Sequence, residues 1–427
     1  MQIPLSVTSL LFVLLWMAPL SAHCESSVQF LHRISIERLN RVLTSEVKTF
    51  NAPPYPSTYT LPVYSRATCP VDVYRITYST VIPELGNRPT TASGLIAIPV
   101  IPSLKRFPIV SYQHGTVFGK YDVPSYSFDT SNPGGIPQYD SSYEGRLITA
   151  AFAGQGYIVI AADYFGLGDS KETEAFGIRA STQQACLDLY KASIEWLTAE
   201  KKIQQSDLFI AGWSQGGLNT TGFLEKLESV NIPVTAAATA AGPCDPFALV
   251  AGFLFHPRKI DAAWRNILIL LSAFSLENYY SSPGLAEEVL NPEHYALCQQ
   301  LYERRFSTKA EEQRLLGALF DIPVKDLLRE KYSDPSYFAN SKYGQLLNGM
   351  QTYKAQFRTP LTMFWGTEDE AISMPVAKLP FVYQALMFNL RDIITIRRVQ
   401  GGTHRGTFLT AVAGEKVLFD RLKGRRR

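Results

Sequence analysis

Cysteine, histidine and long apolar runs are scarce in this chain, and each scarcity closes off a class of function. There are five cysteines, Cys24, Cys69, Cys186, Cys244 and Cys298, and no two stand at CxxC spacing. A thiolate zinc site and a dithiol redox motif are therefore not expected. In an oxidising compartment two disulfides can form with one thiol left over; several buried free thiols are the equal alternative. The six histidines form no cluster with neighbouring acids, and no glycine-rich loop of the phosphate-cradling kind is present. No metal and no cofactor are expected. The net charge is only +3, and part of it sits in the terminal run 421–427, which reads as a solvated tail. No basic stripe interleaved with aromatics occurs elsewhere, so nucleic acid is not an expected partner. Beyond residue 22 no stretch offers 18 uncharged apolar residues, so the mature chain is expected to be soluble.

The one long apolar run is at the start. Residues 5–20, "LSVTSLLFVLLWMAPL", precede the small pair Ser21-Ala22 and the polar "HCESS". This is the outline of a signal peptide, residues 1–22, although its first residues carry no Lys or Arg. A secreted or periplasmic location is the expectation; an uncleaved anchor and lipidation at Cys24 are the alternatives.

The rest has ordinary globular composition, 46% hydrophobic and 19% charged, and its 427 residues suffice for one large α/β domain with an insertion. Residues 23–60 carry one helical pattern, "SSVQFLHRISIERLNRVL", and a Pro-rich connector. "VDVYRITYST" alternates as a half-buried antiparallel strand does, and "TTASGLIAIPV" looks like its partner. Six short apolar runs follow, at 107–116, 156–170, 206–217, 232–243, 359–370 and 392–404, each ending in a Gly- or Asp-rich turn. Runs apolar throughout are buried on both faces, as in a parallel sheet. Helical patterns at 143–154, 178–200, 216–229, 375–388 and 407–423 separate most of them, which argues for a βαβ-built sheet flanked by helices. One connection is far too long for a structureless loop. Residues 246–356 are helical in texture and rich in Tyr, Phe and Leu; they are expected to form a cap inserted between core segments 60–245 and 357–427.

Chemistry concentrates in a few turns. Gly212-Trp-Ser-Gln-Gly216 places Ser214 between a strand-like "DLFIAG" and a helix-like "QGGLNTTGFLEKLES". A strand-to-helix elbow needs small flanking residues, and Gly212, Gly216 and Gly217 supply them. A serine hydroxyl needs a base. His404 in "GGTHRG" follows the last strand pattern and precedes the last helix; His256 and His294 fall within the cap. The base needs a carboxylate. Asp369 in "FWGTEDEAI" lies between Ser214 and His404, with Glu368 and Glu370 beside it and Asp245 as rival. An oxyanion hole is expected from the backbone N–H of Gln215 and of Thr116 or Gly115, after the strand "IVSYQ". His114 reads as a packing residue rather than a second base. Asp163 and Asp169 in "ADYFGLGDS" read as a structural loop beside the site, not as metal ligands.

The sequences "SYQHGT", "AADYFGLGDS", "AGWSQGG", "WGTEDEAI" and "GTHRG", in this order, resemble the secretory lipase family of α/β-hydrolases over residues 60–245 and 358–415. The resemblance implies the α/β-hydrolase fold and a secreted ester hydrolase, a triacylglycerol lipase or carboxylesterase. The triad would be Ser214, His404 and Asp369, acting through an acyl-enzyme without a cofactor. Cys244 in "GPCDP" departs from the small apolar residue expected there. A peptidase or amide hydrolase on the same triad is the alternative; it would favour acidic anchors in the cap, for which "GLAEEVL" is the candidate. A catalytically inactive binding protein is the third reading. The expected partner is a small-molecule or lipid ester, with transient contact between cap and lipid surface.

Overall fold

The computed structural model describes residues 26–51, 56–128 and 143–424. The expected signal peptide, residues 1–22, lies outside the described residues. Among them, nine strands form one sheet: β1 (Ser27–Ile34), β2 (Val71–Ile82), β3 (Arg88–Pro99), β4 (Arg106–Gln113), β5 (Ile158–Ala162), β6 (Gln204–Trp213), β7 (Ala236–Ala240), β8 (Leu361–Gly366) and β9 (Ile394–Val399). Their order is β1-β2-β3-β5-β4-β6-β7-β8-β9. β1, β2, β3 and β5 pair antiparallel in succession, whereas all pairs from β5 through β4 to β9 are parallel.

The strand sequences explain this division. β2 faces the core at every second residue along most of its length, as its apolar–polar alternation demands. β5 and β7 are buried at every position, as strands covered on both faces must be. Side chains alternate between two cores. Ile109, Ile158, Ile160, Leu208 and Ile210 face one; Val110, Val159, Ala161, Phe209 and Ala211 face the other. The first core is closed by α4 (Arg179–Ala199) and α5 (Gln215–Ser229) through Leu187, Leu189, Phe223 and Leu224. The second is closed by α3 (Tyr143–Ala151) and α15 (His404–Leu422) through Leu147, Phe408, Leu409 and Phe419. Phe209 stacks on Phe419 at 4.5 Å between ring centroids, a pairing worth about 1 kcal/mol beyond its buried area.

The N-terminal segment corrects the helical expectation for residues 23–60. Its first part is β1; the helical part comprises α1 (Ile36–Arg41), a π-turn at Val42–Glu46 and α2 (Val47–Phe50). The free edge of β2 offers a row of unpaired backbone groups, and β1 takes them up from Ser27 opposite Thr77 to Ile34 opposite Val71, with one register shift between Phe30 and His32. Tertiary pairing overrides the local pattern. The core therefore begins well before residue 60. Ser35 caps the helical part by accepting the N–H of Arg38.

Eight helices stand between β7 and β8: α6 (Pro246–Phe255), α7 (Asn266–Tyr279), α8 (Leu285–Val289), α9 (Pro292–Tyr302), α10 (Lys309–Phe320), α11 (Val324–Leu327), α12 (Pro335–Asn340) and α13 (Lys342–Gly349). α7 is buried along nearly its whole length, so it is the axis of this segment. The segment is tied to the loop after β5. Phe176 donates its N–H to Ser275, and the hydroxyls of Ser275, Tyr279 and Tyr302 donate to backbone carbonyls of Glu174, Thr173 and Glu174. α14 (Met374–Phe388) follows β8. No helix among the described residues is long and apolar enough to cross a membrane.

Candidate active site

The loops after β4, β6, β8 and β9 leave the carboxyl ends of the parallel strands and meet under the eight-helix segment, where an open α/β sheet offers its crevice. Ser214 sits between β6 and α5 with φ 57° and ψ −124°. This conformation costs of order 1–3 kcal/mol for a residue with a Cβ. It persists because its surroundings over-determine it. The Ser214 N–H donates to Ala240 O at 2.9 Å, and the Gly217 N–H donates to Ser214 O at 2.8 Å. Close approach explains the glycines: a Cβ on Gly212 would stand 2.3 Å from Gly216 O.

His404 begins α15, whose cap is Thr403. Its Nε2 lies 2.8 Å from Ser214 Oγ, and its Nδ1 lies 3.1 Å from each carboxylate oxygen of Asp369. An ionised carboxylate only accepts, so the proton belongs on Nδ1 and the Nε2 lone pair faces the serine hydroxyl. Asp369 Oδ1 also accepts the N–H of Ala371 and Ile372, which fixes the carboxylate. Of the three adjacent acids only Asp369 reaches the ring; Glu370 instead accepts the backbone N–H of His404 at 2.8 Å. Burial pulls the His404 pKa down, but the charge and hydrogen bond of Asp369, with the charge of Glu370, outweigh it, so the net shift is upward. The rings of Trp213 and Trp264 flank the imidazole at 5.0 and 5.7 Å. Ser214, Asp369 and His404 are all buried.

The rival acid lies elsewhere. Asp245 caps α6 by accepting the N–H of Ala248, and its other oxygen accepts from Gln351 and Tyr353. It fastens the two ends of the inserted segment together. Cys244 is buried against Thr221, and burial pushes its thiol up to about 11. Cys69, Cys186, Cys244 and Cys298 are all free and buried, so none of them forms a disulfide with another; Cys24 lies outside the described residues.

The oxyanion candidates separate. Gln215 occupies the first position of α5, where an N–H has no intrahelical acceptor. Thr116 lines the same cleft as Ser214 and Gln215, and its Oγ1 is buried with no hydrogen-bond partner. Gly115 is a correction: its N–H is already taken by Glu144, at 3.0 and 3.2 Å from the two carboxyl oxygens. Sequence reasoning missed Glu144, since nothing in "YEGRLITAA" marks a buried acid. His114 is buried, stacks on Tyr164, and is pushed down to about 4 by burial, as a packing residue would be. Asp163 accepts the hydroxyls of Ser93 and Ser125 and the N–H of Ser125, and so fastens a loop. Among the described residues no cluster of His, Cys, Asp and Glu could hold a metal.

Above Ser214 is a narrow cleft with a free volume of only about 40 Å³, lined mainly by apolar residues of the inserted segment and core, among them Leu218, Leu249, Leu268, Leu276 and Met350. Glu287 and Glu288, the acidic pair considered as an amine anchor, do not line it; Glu288 is bonded to Tyr332, Tyr337 and Lys331.

Residues 143–231 match the model of the prolyl oligopeptidase family, less than half of the chain. No curated protein matches by sequence. Over nearly its whole length the chain is similar in structure to a Legionella pneumophila protein (TM-score 0.75, 21% identity, 94% of this chain and 98% of that one). It is also similar to the rice cell wall degrading esterase LipA from Xanthomonas oryzae (TM-score 0.72, 18% identity, 93% and 97%). A third likeness is to Candida antarctica lipase A in its closed state (TM-score 0.60, 17% identity, 83% and 79%). The mostly parallel sheet, the serine at the strand-to-helix elbow and these likenesses give the chain the α/β-hydrolase fold.

Proposed function

We propose that the protein is a serine ester hydrolase, a lipase or carboxylesterase of the secretory lipase kind, with Ser214, His404 and Asp369 as its triad. One observation carries this: Ser214 Oγ stands 2.8 Å from His404 Nε2 at the floor of an apolar cleft. His404 takes the hydroxyl proton as Ser214 Oγ attacks the acyl carbonyl. The Gln215 N–H and Thr116 stabilise the oxyanion. His404 then protonates the departing alcohol, and water activated by the same imidazole releases the acid. Asp369 holds the imidazole tautomer and stabilises its charged form. The helical segment 246–356 acts as a cap that selects the acyl group.

A peptidase on the same triad is the second reading, favoured by the match of residues 143–231 to the prolyl oligopeptidase family. That stretch covers β5, β6, the elbow and α5, and none of the cap. The absence of Glu287 and Glu288 from the cleft lining supports the ester reading. Export through residues 1–22 is part of the proposal, and N-terminal sequencing of protein recovered outside the cytoplasm tests it. For the activity, p-nitrophenyl esters of graded chain length are assayed beside aminoacyl p-nitroanilides. Turnover of esters with little anilide cleavage is expected; the reverse preference establishes the peptidase, and neither activity removes both.

A further inference from the structure

Glu144 is a carboxyl group buried beside the reactive loops yet outside the triad. It lies on α3, behind the turn His114-Gly115-Thr116. Both its oxygens lie within hydrogen-bond distance of the Gly115 N–H, and the Tyr112 hydroxyl donates to Oε1 at 2.6 Å. Tyr112 is itself buried in β4, the strand that leads into the turn. The space is tight: a Cβ on Gly115 would stand 3.2 Å from the Trp213 ring and 3.4 Å from Glu144 Oε2. One residue on, Thr116 faces the Ser214 cleft with an unpartnered, buried Oγ1. Holding the Gly115 N–H anchors the peptide that enters the turn, one residue before Thr116. The acceptor that holds Gly115 therefore aims Thr116.

We propose that Glu144 is a positioning residue for the oxyanion hole: by accepting the Gly115 N–H from behind, it holds Thr116 turned toward Ser214. The proposal rests on Ser214 being the nucleophile. Burial pushes the Glu144 carboxyl up to about 7, against the pull of its bonds to Tyr112 and Gly115 and of the nearby His404. Glutamine keeps an acceptor oxygen at the same reach without the charge. The function required of Glu144 is that of an acceptor, not of a charge.

The test uses the full chain, a p-nitrophenyl ester and a trifluoromethyl ketone, which forms a tetrahedral adduct with the serine and needs the oxyanion hole. Glu144→Ala is expected to lower kcat about 10- to 100-fold with KM within about threefold, and to weaken the ketone by a similar factor. Glu144→Gln is expected to restore both to within about threefold of wild type. Should Glu144→Ala not fold, Glu144→Asp, which retracts the acceptor by one methylene, carries the same expectation. Wild-type kcat and ketone affinity in the alanine or aspartate variant overturn the proposal, and so does a glutamine variant as impaired as the alanine one. A phosphonate that fails to label Ser214 in the wild-type protein removes the hydrolase reading instead, so the two failures are told apart.

Discussion

A Cβ on Gly216 would stand 1.9 Å from the carbonyl oxygen of Gln113. Gln113 ends β4 and Gly216 is the second residue of α5, so the elbow helix and the strand that leads to Thr116 touch backbone to backbone. Gly216→Ala forces these elements apart at the point where Ser214 and Thr116 must face one cleft. It is expected to cost about 3 kcal/mol or more and to lower the melting temperature by several degrees, measured by circular dichroism.

The two candidate acids give opposite expectations. Asp369→Asn leaves a side chain of the same shape that stabilises the wrong imidazole tautomer, and kcat falls by about 10⁴. Asp245→Asn weakens the bonds to Gln351 and Tyr353 that close the base of the cap. A change below about tenfold in kcat is expected, with some loss of stability. Kinetics on both variants, each checked for folding, decide the assignment.

Glu415 gives a prediction on pH. It is buried on α15 with an oxygen that has no partner, and burial raises its pKa from the ordinary 4.5 to about 8. The folded state therefore holds a proton that the unfolded chain releases. The contribution to stability is fully present below about pH 4.5 and is lost as pH rises to about 8. Glu415→Gln keeps the neutral shape at every pH. It is expected to be more stable than wild type at pH 8 by about 2–5 kcal/mol, with the difference shrinking toward pH 5, as urea unfolding at several pH values measures.

The cleft lining gives a prediction on specificity. Leu268 and Leu276 lie on α7 and line the space above Ser214. Leu268→Trp and Leu276→Trp narrow it, and kcat/KM for long-chain esters is expected to drop at least about tenfold more than for acetate. A chain-length profile unchanged by either substitution removes the cap from substrate selection.

Turn chemistry and strand periodicity were the most readable features of this sequence. The glycines around Ser214 mark the elbow, and β5 and β7 read apolar throughout because both their faces are covered, whereas β9 at the sheet edge carries Arg397 and Arg398 and is buried only in part. Asp369 and His404 stood in turns just past such runs, so chain order alone brought them near Ser214. β1 was not readable: "SVQFLHRI" carries a helical spacing, and only the open edge of β2 makes it a strand. Glu144 was invisible for a related reason. Its partners, Tyr112 and Gly115, come from a strand and the turn after it, some 30 positions earlier, and a local pattern holds no trace of them. By position the Gly115 N–H suits an oxyanion donor, but Glu144 accepts it.

The most direct test of the central claim is covalent labelling of the nucleophile. A serine-directed alkyl phosphonate is incubated with the protein, and the adduct is located by peptide mass spectrometry beside the kcat of Ser214→Ala. The account predicts one adduct, on Ser214, blocked in the alanine variant, and a fall in kcat of about 10⁴ or more. An adduct on another serine, or a Ser214→Ala variant that hydrolyses esters at close to the wild-type rate, contradicts it.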